Sequence, residues 1–200
     1  MNHDILSIGG EPIFDDRIVK FETHTYNPYA NTTFGYSDEI RIPIQHQDLY
    51  TLPCQSFLHV EGKFTTRRKD GAPPPTAVKV EPRLTNFFIA FMFDEIRYEL
   101  DGVEIDRNRN VGITSSTKNY LSLSADEERT LVRAGWNIEK TAPSTFDLCV
   151  PLKLLLGFCE DYKSIIINAR HELILIRARN DLNYLKVDPV YDYQLRLTRL

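Results

Sequence analysis

Apolar and polar positions alternate with a period of two along several stretches of this chain, the pattern of half-buried β-strands. Ile40, Ile42 and Ile44 alternate with Glu39, Arg41 and Pro43. Pro43 has no amide hydrogen to give a ladder, so this strand is expected at a sheet edge or with a bulge. From Gln55 to about Thr66, Leu58, Val60 and Phe64 form one face and His59, Glu61 and Lys63 the other. Arg17 to Tyr26 alternates as well, with Ile18 and Lys20 facing away from Val19 and Phe21. Ala77 to Glu81 reads as a short strand closed by Pro82, and Thr145 to Val150 as one stopped by Pro151. The longest candidate runs from Ser164 to Arg179. It sets Ile165, Ile167, Ala169, His171, Leu173, Leu175 and Arg177 against Ile166, Asn168, Arg170, Glu172, Ile174 and Ile176.

Turn and cap signals divide these runs. Glu95–Leu100 and Val103–Asp106 flank Asp101-Gly102. A tight type I′ turn needs positive φ at both central residues, so this dipeptide predicts a hairpin. Phe87 to Phe93 is seven apolar residues without a break, to be covered on both sides; periodicity alone does not separate helix from strand there. Arg67-Arg68-Lys69, followed by Pro73-Pro74-Pro75, reads as an exposed loop. Ser124-Ala125-Asp126-Glu127 is a capping box opening a short helix that Gly135 stops, after a helical segment around Ser115–Leu121. Leu152 to Phe158 is expected to form one helical turn or a buried bend. The fold class that follows is all-β: a jelly-roll β-sandwich of about eight antiparallel strands with a short helical insertion. An immunoglobulin-like sandwich fits less well, because the Cys…Trp…Cys spacing is missing. Residues 1–37 are expected as an arm and first strand, 38–180 as the jelly roll, and 181–200 as a tail long enough for one edge strand.

Composition narrows the function. A net charge of −4 and a pI near 5.8 give no pull toward nucleic acid or anionic membrane. Arg107-Asn108-Arg109-Asn110 lacks the aromatics and wider basic field of a nucleic-acid contact, and reads as a subunit-contact or surface loop. Cys54, Cys149 and Cys159 are odd in number with no CxxC pair, and are expected as buried free thiols. Met1-Asn2-His3-Asp4 lacks the regions of a signal peptide, and no apolar run reaches the ~20 residues of a membrane helix. An intracellular protein, in cytoplasm or nucleus and not secreted, is expected, with the sequon Asn31-Thr32-Thr33 unused.

Chemistry is sparse. No P-loop, GxGxxG, GxSxG or HExxH occurs. His3, His24, His46, His59 and His171 are scattered; His59 and His171 lie on strands, but a cupin-type metal site would show a His-x-His that is absent. Asp94, Glu95, Glu99, Asp101, Glu104 and Asp106 cluster around the hairpin as a solvated face requires. The expectation is no catalytic residue, no cofactor, no metal, no small-molecule substrate and no enzyme. A carbohydrate-binding jelly roll is the alternative, with Tyr26, Tyr29, Phe34 and Tyr36 as its aromatic cluster.

Two stretches resemble major capsid proteins of the double-jelly-roll lineage, which includes large DNA viruses, virophages and polinton-type elements. One is Phe93-Asp94-Glu95-Ile96-Arg97-Tyr98-Glu99-Leu100-Asp101-Gly102-Val103-Glu104-Ile105-Asp106-Arg107, followed by a helical stretch with Tyr120, Leu121 and Leu123. The other is Val150-Pro151-Leu152 with the strand from Ile165 to Arg177, including His171-Glu172. The resemblance covers roughly residues 38–180 and is similar also to double-jelly-roll-like proteins of invertebrate genomes. It implies a non-enzymatic structural subunit, or an endogenous viral relic, that self-associates in trimer- or hexamer-like packing and resides in a virion if viral. Members of the lineage carry two rolls per chain; 200 residues suit one, so a single roll is expected here.

Overall fold

The computed structural model describes residues 20–29, 34–45, 50–68, 83–137, 145–186 and 191–200. Nine antiparallel strands occur among them: β1 (Glu39–Ile44), β2 (Phe57–Arg68), β3 (Arg83–Leu84), β4 (Phe93–Leu100), β5 (Val103–Arg109), β6 (Thr145–Pro151), β7 (His171–Arg177), β8 (Leu185–Lys186) and β9 (Tyr191–Arg199). They form a four-stranded sheet ordered β1-β7-β4-β5, a three-stranded sheet ordered β6-β2-β9, and a β3-β8 ribbon. This is a jelly-roll β-sandwich, all-β apart from short helices.

One apolar cluster joins the sheets. Ile40 and Ile42 of β1, Ile96 and Tyr98 of β4, and Leu173 and Leu175 of β7 contribute from one side. Leu58, Val60 and Phe64 of β2, Phe146, Leu148 and Val150 of β6, and Leu195 and Leu197 of β9 contribute from the other. Phe88, Phe146 and Tyr184 meet in the middle, with Phe88 edge-on to Phe146 at 5.4 Å and 6.2 Å from Tyr184. Gly62 opposes Phe146 across the β2–β6 pair, and a Cβ there would collide with the ring. The glycine lets the aromatic lie flat against the strand.

The hairpin forms as the sequence predicts. Leu100 pairs with Val103, while Asp101 and Gly102 take φ of 49° and 77°. The turn is also fastened: Asp101 donates its amide to the Arg170 carbonyl at 2.8 Å, and its carboxylate accepts from the Arg170 amide at 2.9 Å. Pro43 lies on β1, an edge strand. The Phe87–Phe93 run divides: Phe88–Phe91 is a single helical turn, α1, and Phe93 opens β4. Helix α2 (Val111–Ser122) follows β5, and α3 (Ala125–Thr130) begins with Ser124 and Glu127 satisfying each other's orphan amides. Gly135, at φ 89°, ends the following 3₁₀ turn. A 3₁₀ turn at Leu152–Leu154 and helix α4 (Gly157–Asp161) make the expected bend.

Four expectations need correction. The strand over 164–179 is shorter: only His171–Arg177 is β7, and Ile166 makes an isolated bridge to Thr51. Asn168 adopts a left-handed φ of 51°, which the alternation hides but which asparagine tolerates and which ends regular pairing. Residues 20–26 form no strand despite their alternation, and among the described residues they have no ladder partner. Strand β2 runs on through Arg67 and Arg68 rather than ending in a loop before them, because β9 pairs with it to the end. Cys159 is buried, but Cys54 is only half-buried and Cys149 is exposed on β6. Ala77–Glu81, Lys69 and Pro73–Pro75 lie outside the described residues.

Candidate functional site

The two stretches singled out in the sequence meet in space. Strand β4 pairs with β7 along its length, and β5 carries the side chains that hold the bend after Val150-Pro151-Leu152. Asp106 accepts from the Phe158 amide at 2.9 Å. Asn108 donates to the Leu155 carbonyl at 2.7 Å and to the Ser115 hydroxyl at 3.0 Å. On α2, Asn119 reaches the Leu154 carbonyl at 3.2 Å and Lys118 the Lys153 carbonyl at 2.9 Å. The Ile-Asp-Arg strand end therefore works as a clamp: its polar side chains satisfy backbone groups of a bend that has no ladder of its own. Cys159, held under this clamp, has its thiol pushed up to about 12 by burial and by the nearby Asp106 carboxylate, which leaves it unreactive.

His171 and Glu172 have different surroundings. His171 is buried, with Nδ1 2.7 Å from the Tyr98 hydroxyl and Nε2 2.7 Å from the Thr51 hydroxyl. Burial holds its pKa below the ordinary histidine value and raises that of Tyr98. Glu172 faces outward, 3.4 Å from Arg41. His59 and His171 lie on different sheets, each with its own partners, and do not converge.

Two of the carboxylates around the hairpin, Glu95 and Glu104, are paired with arginines, and Glu39 of β1 joins the same outer face. Glu95 meets Arg97 and Arg109, each at 3.1 Å, and Glu39 meets Arg41 at 2.7 Å and Arg97 at 3.1 Å. Arg107 pairs with Glu104. The aromatic cluster is dispersed rather than presented on one face. Tyr26 and Phe34 pack against the core, Tyr36 donates to Asp181 at 2.7 Å, and the Tyr29 hydroxyl accepts from Arg170 at 3.2 Å.

At the end of β7, Arg177 is buried against Asp181 at 3.3 Å and donates to the Met92 carbonyl at 2.7 Å. Tyr184 also donates to Asp181, and the Leu195 amide lies 3.4 Å from the same carboxylate. One buried carboxylate thus ties β1's approach, β7 and β9 together.

What remains open is surface. Helix α2 buries Val111, Gly112, Ser115 and Asn119 and leaves Ile113 and Leu121 66% and 84% exposed on its outer side. Val103 and Ile105 stand exposed on β5, a strand at the edge of its sheet. A depression of about 530 Å³ lies between Asp94, Arg109 and Arg179. No described helix is long and apolar enough to cross a membrane.

A family model described as the double jelly roll-like domain matches residues 82–200. Among solved structures, the chain is similar to PBCV-1 VP54, from a crystal structure fitted into a cryo-EM reconstruction of the virophage Sputnik. The identity is 10% and the TM-score 0.44, over 90% of this chain and 44% of that one. It is similar also to a quasi-atomic model of the PBCV-1 virus capsid, with 12% identity, a TM-score of 0.42 and the same shares. The chain spans less than half the length of these two structures. The sequence finds no match among curated proteins.

Proposed function

The chain belongs to the double jelly roll-like domain family, and from that premise we propose that it is a non-enzymatic, capsid-type structural subunit or a relic of one. The observation that carries this reading is the family match over residues 82–200, which contains both capsid-like stretches and the clamp that joins them. In the lineage the stretches resemble, two fused rolls per chain trimerise into a pseudo-hexagonal tile. By the same logic this chain self-associates in trimer- or hexamer-like packing, with another copy of itself as partner, and its place is the virion where a virus encodes it.

Two surfaces support self-association. The outer side of α2 carries Ile113 and Leu121 in water, and β5 leaves one ladder of backbone groups unpaired beside Val103 and Ile105. Exposed apolar side chains beside an open strand edge favour contact with another chain. The negative net charge does not favour direct genome contact. Native mass spectrometry of the purified chain tests the reading: closed oligomers such as trimers or hexamers are expected as concentration rises. A monomer at every concentration would contradict it.

A further inference from the structure

Two cations face each other without a counter-ion on the outward side of the β2–β9 pair. In the antiparallel register Lys63 stands opposite Arg196, and Thr65 opposite Gln194. Residues directly opposite project to the same side of a sheet, so all four share one face. The burial pattern says which: Phe64, Leu195 and Leu197 lie in the core, while Lys63, Thr65, Gln194 and Arg196 are exposed. Like charges directly opposed across a strand pair destabilise a sheet. Among the described residues neither Lys63 nor Arg196 forms an ion pair, whereas their neighbour Arg199 reaches Glu61 at 3.8 Å.

The same two cations line a recess. A depression of about 470 Å³ lies between Lys63, Thr65, Gln194, Arg196, Thr198 and Phe34, and its lining holds no acidic side chain. That volume is within the range of small-molecule pockets. Phe34 is packed against the core and forms one wall. Thr198 is the extra residue of a β-bulge: Glu61 pairs with Arg199 and Gly62 with Leu197, so Thr198 has no partner on β2. Bulges re-aim side chains and recur beside functional sites. The depression near Arg179 differs, because Asp94 and Glu95 stand among its arginines.

We propose that this recess binds a small phosphate monoester, with the dianionic phosphate between Lys63 and Arg196 and the apolar part against Phe34. Arginine offers a planar fork of N–H donors that fits two phosphate oxygens, and lysine adds a point charge. The Thr198 hydroxyl and the Gln194 side-chain amide can donate to the remaining oxygens. Thr65 already donates its hydroxyl to the Gln194 carbonyl at 3.1 Å, so it positions the strand rather than the ligand. A dianion neutralises both cations at once and turns a repulsive cross-strand pair into a clamp joining β2 to β9. A phosphodiester, with one charge, neutralises only half of it. The sequence did not announce the site, because Lys63 and Arg196 lie far apart in the chain and meet only through strand pairing. The site is independent of the assembly reading, since it lies on the β6-β2-β9 sheet and not on α2 or β5.

The test is isothermal titration calorimetry of the full chain at low ionic strength, with inorganic phosphate and phenyl phosphate as probes and sodium chloride as the control. Both probes should bind at one site per chain, phenyl phosphate the more tightly. Lys63→Met and Arg196→Met should each weaken phenyl phosphate by about tenfold or more, as loss of a hydrogen bond to a charged group implies. Phe34→Leu should remove the advantage of phenyl phosphate and leave inorganic phosphate unchanged. Arg109→Gln, in the other depression, should alter neither. Affinity should fall below about pH 6, where a phosphate monoester takes up its second proton. Phosphate should also raise the thermal midpoint of wild type but not of Arg196→Met. Both cations are exposed, and a midpoint in chloride that is unchanged or raised confirms that each variant is folded. Binding of neither probe, or equal phenyl phosphate affinity in wild type and Arg196→Met, would overturn the proposal. So would a short oligonucleotide without a terminal phosphate that displaces phenyl phosphate at lower concentration than inorganic phosphate does, since the site would then fit a nucleic-acid backbone.

Discussion

Strands β2 and β7 each occupy the middle of a sheet, yet they are buried in different ways. Along β2, core residues Leu58, Val60 and Phe64 alternate with His59, Glu61 and Lys63, which stay accessible to water. Along β7, five consecutive residues from His171 to Leu175 are buried. The neighbours make the difference. Ile174, on the outer side of β7, is level with Arg41 on one flank and Arg97 on the other, and it is fully buried although it belongs to no core cluster. The stems of two arginines, held by Glu39 and Glu95, roof it over. Outside β2 the central positions are themselves polar, and although Arg199 and Arg196 of β9 stand level with Glu61 and Lys63, the face stays open to water. A sheet's outer face is thus closed where its central strand offers an apolar residue for the flanking arginines to cover.

The largest expected effect lies at the end of β7. Arg177→Ala or Asp181→Ala should destabilise the fold by about 3–5 kcal/mol, because either leaves a buried charge without its partner. Replacing the pair together with Met and Leu should recover most of that loss in urea denaturation. Equal loss in the single and double variants would show that the charge pair is not what matters. A smaller effect is expected in β2. Gly62→Val should cost about 1–3 kcal/mol by forcing Phe146 out of its place, read from the same denaturation curves.

The same comparison was only half legible in the sequence. β2 announced itself, since one buried face gives clean alternation, and so did the hairpin, because Asp101-Gly102 has few other uses. The capping box at Ser124 and Glu127 was equally plain. β7 was misjudged in length because Ile165 and Ile167 continue its alternation, though they are 39% and 55% exposed; the signal that could have ended it was Asn168. The clamp formed by Asp106 and Asn108 was visible only as a family-like pattern, and its partners at Leu155 and Phe158 needed the fold. The neighbours across β2 and β6 were not legible either: nothing before the strand register says that Asp147 comes within reach of His59.

The comparison can be sharpened with pH. His171 on β7 is buried with its pKa lowered, so the unfolded chain binds a proton that the folded chain resists. Its contribution is therefore present above the ordinary histidine pKa of about 6.5 and is lost as pH falls below it. Urea midpoints at neutral and mildly acidic pH should fall more steeply for wild type than for His171→Gln. Parallel slopes would show that His171 does not carry the dependence. The smallest effect is expected on the ladder that roofs β7. Glu95→Gln should change stability by about 1 kcal/mol in thermal unfolding at moderate salt, since Glu95 and Arg97 are only half-buried and Arg109 is exposed, so solvent screens the pairs.

The central claim, that this roll is built to pack against copies of itself, is tested most directly by sedimentation velocity of wild type beside Ile113→Lys/Leu121→Lys. Both positions are exposed on the outer side of α2, so the variant should fold with an unchanged thermal midpoint. Wild type is expected to sediment as a discrete oligomer whose population grows with concentration, and the variant as a monomer. A wild type that remains monomeric at every concentration, or a variant that associates just as well, would contradict the account.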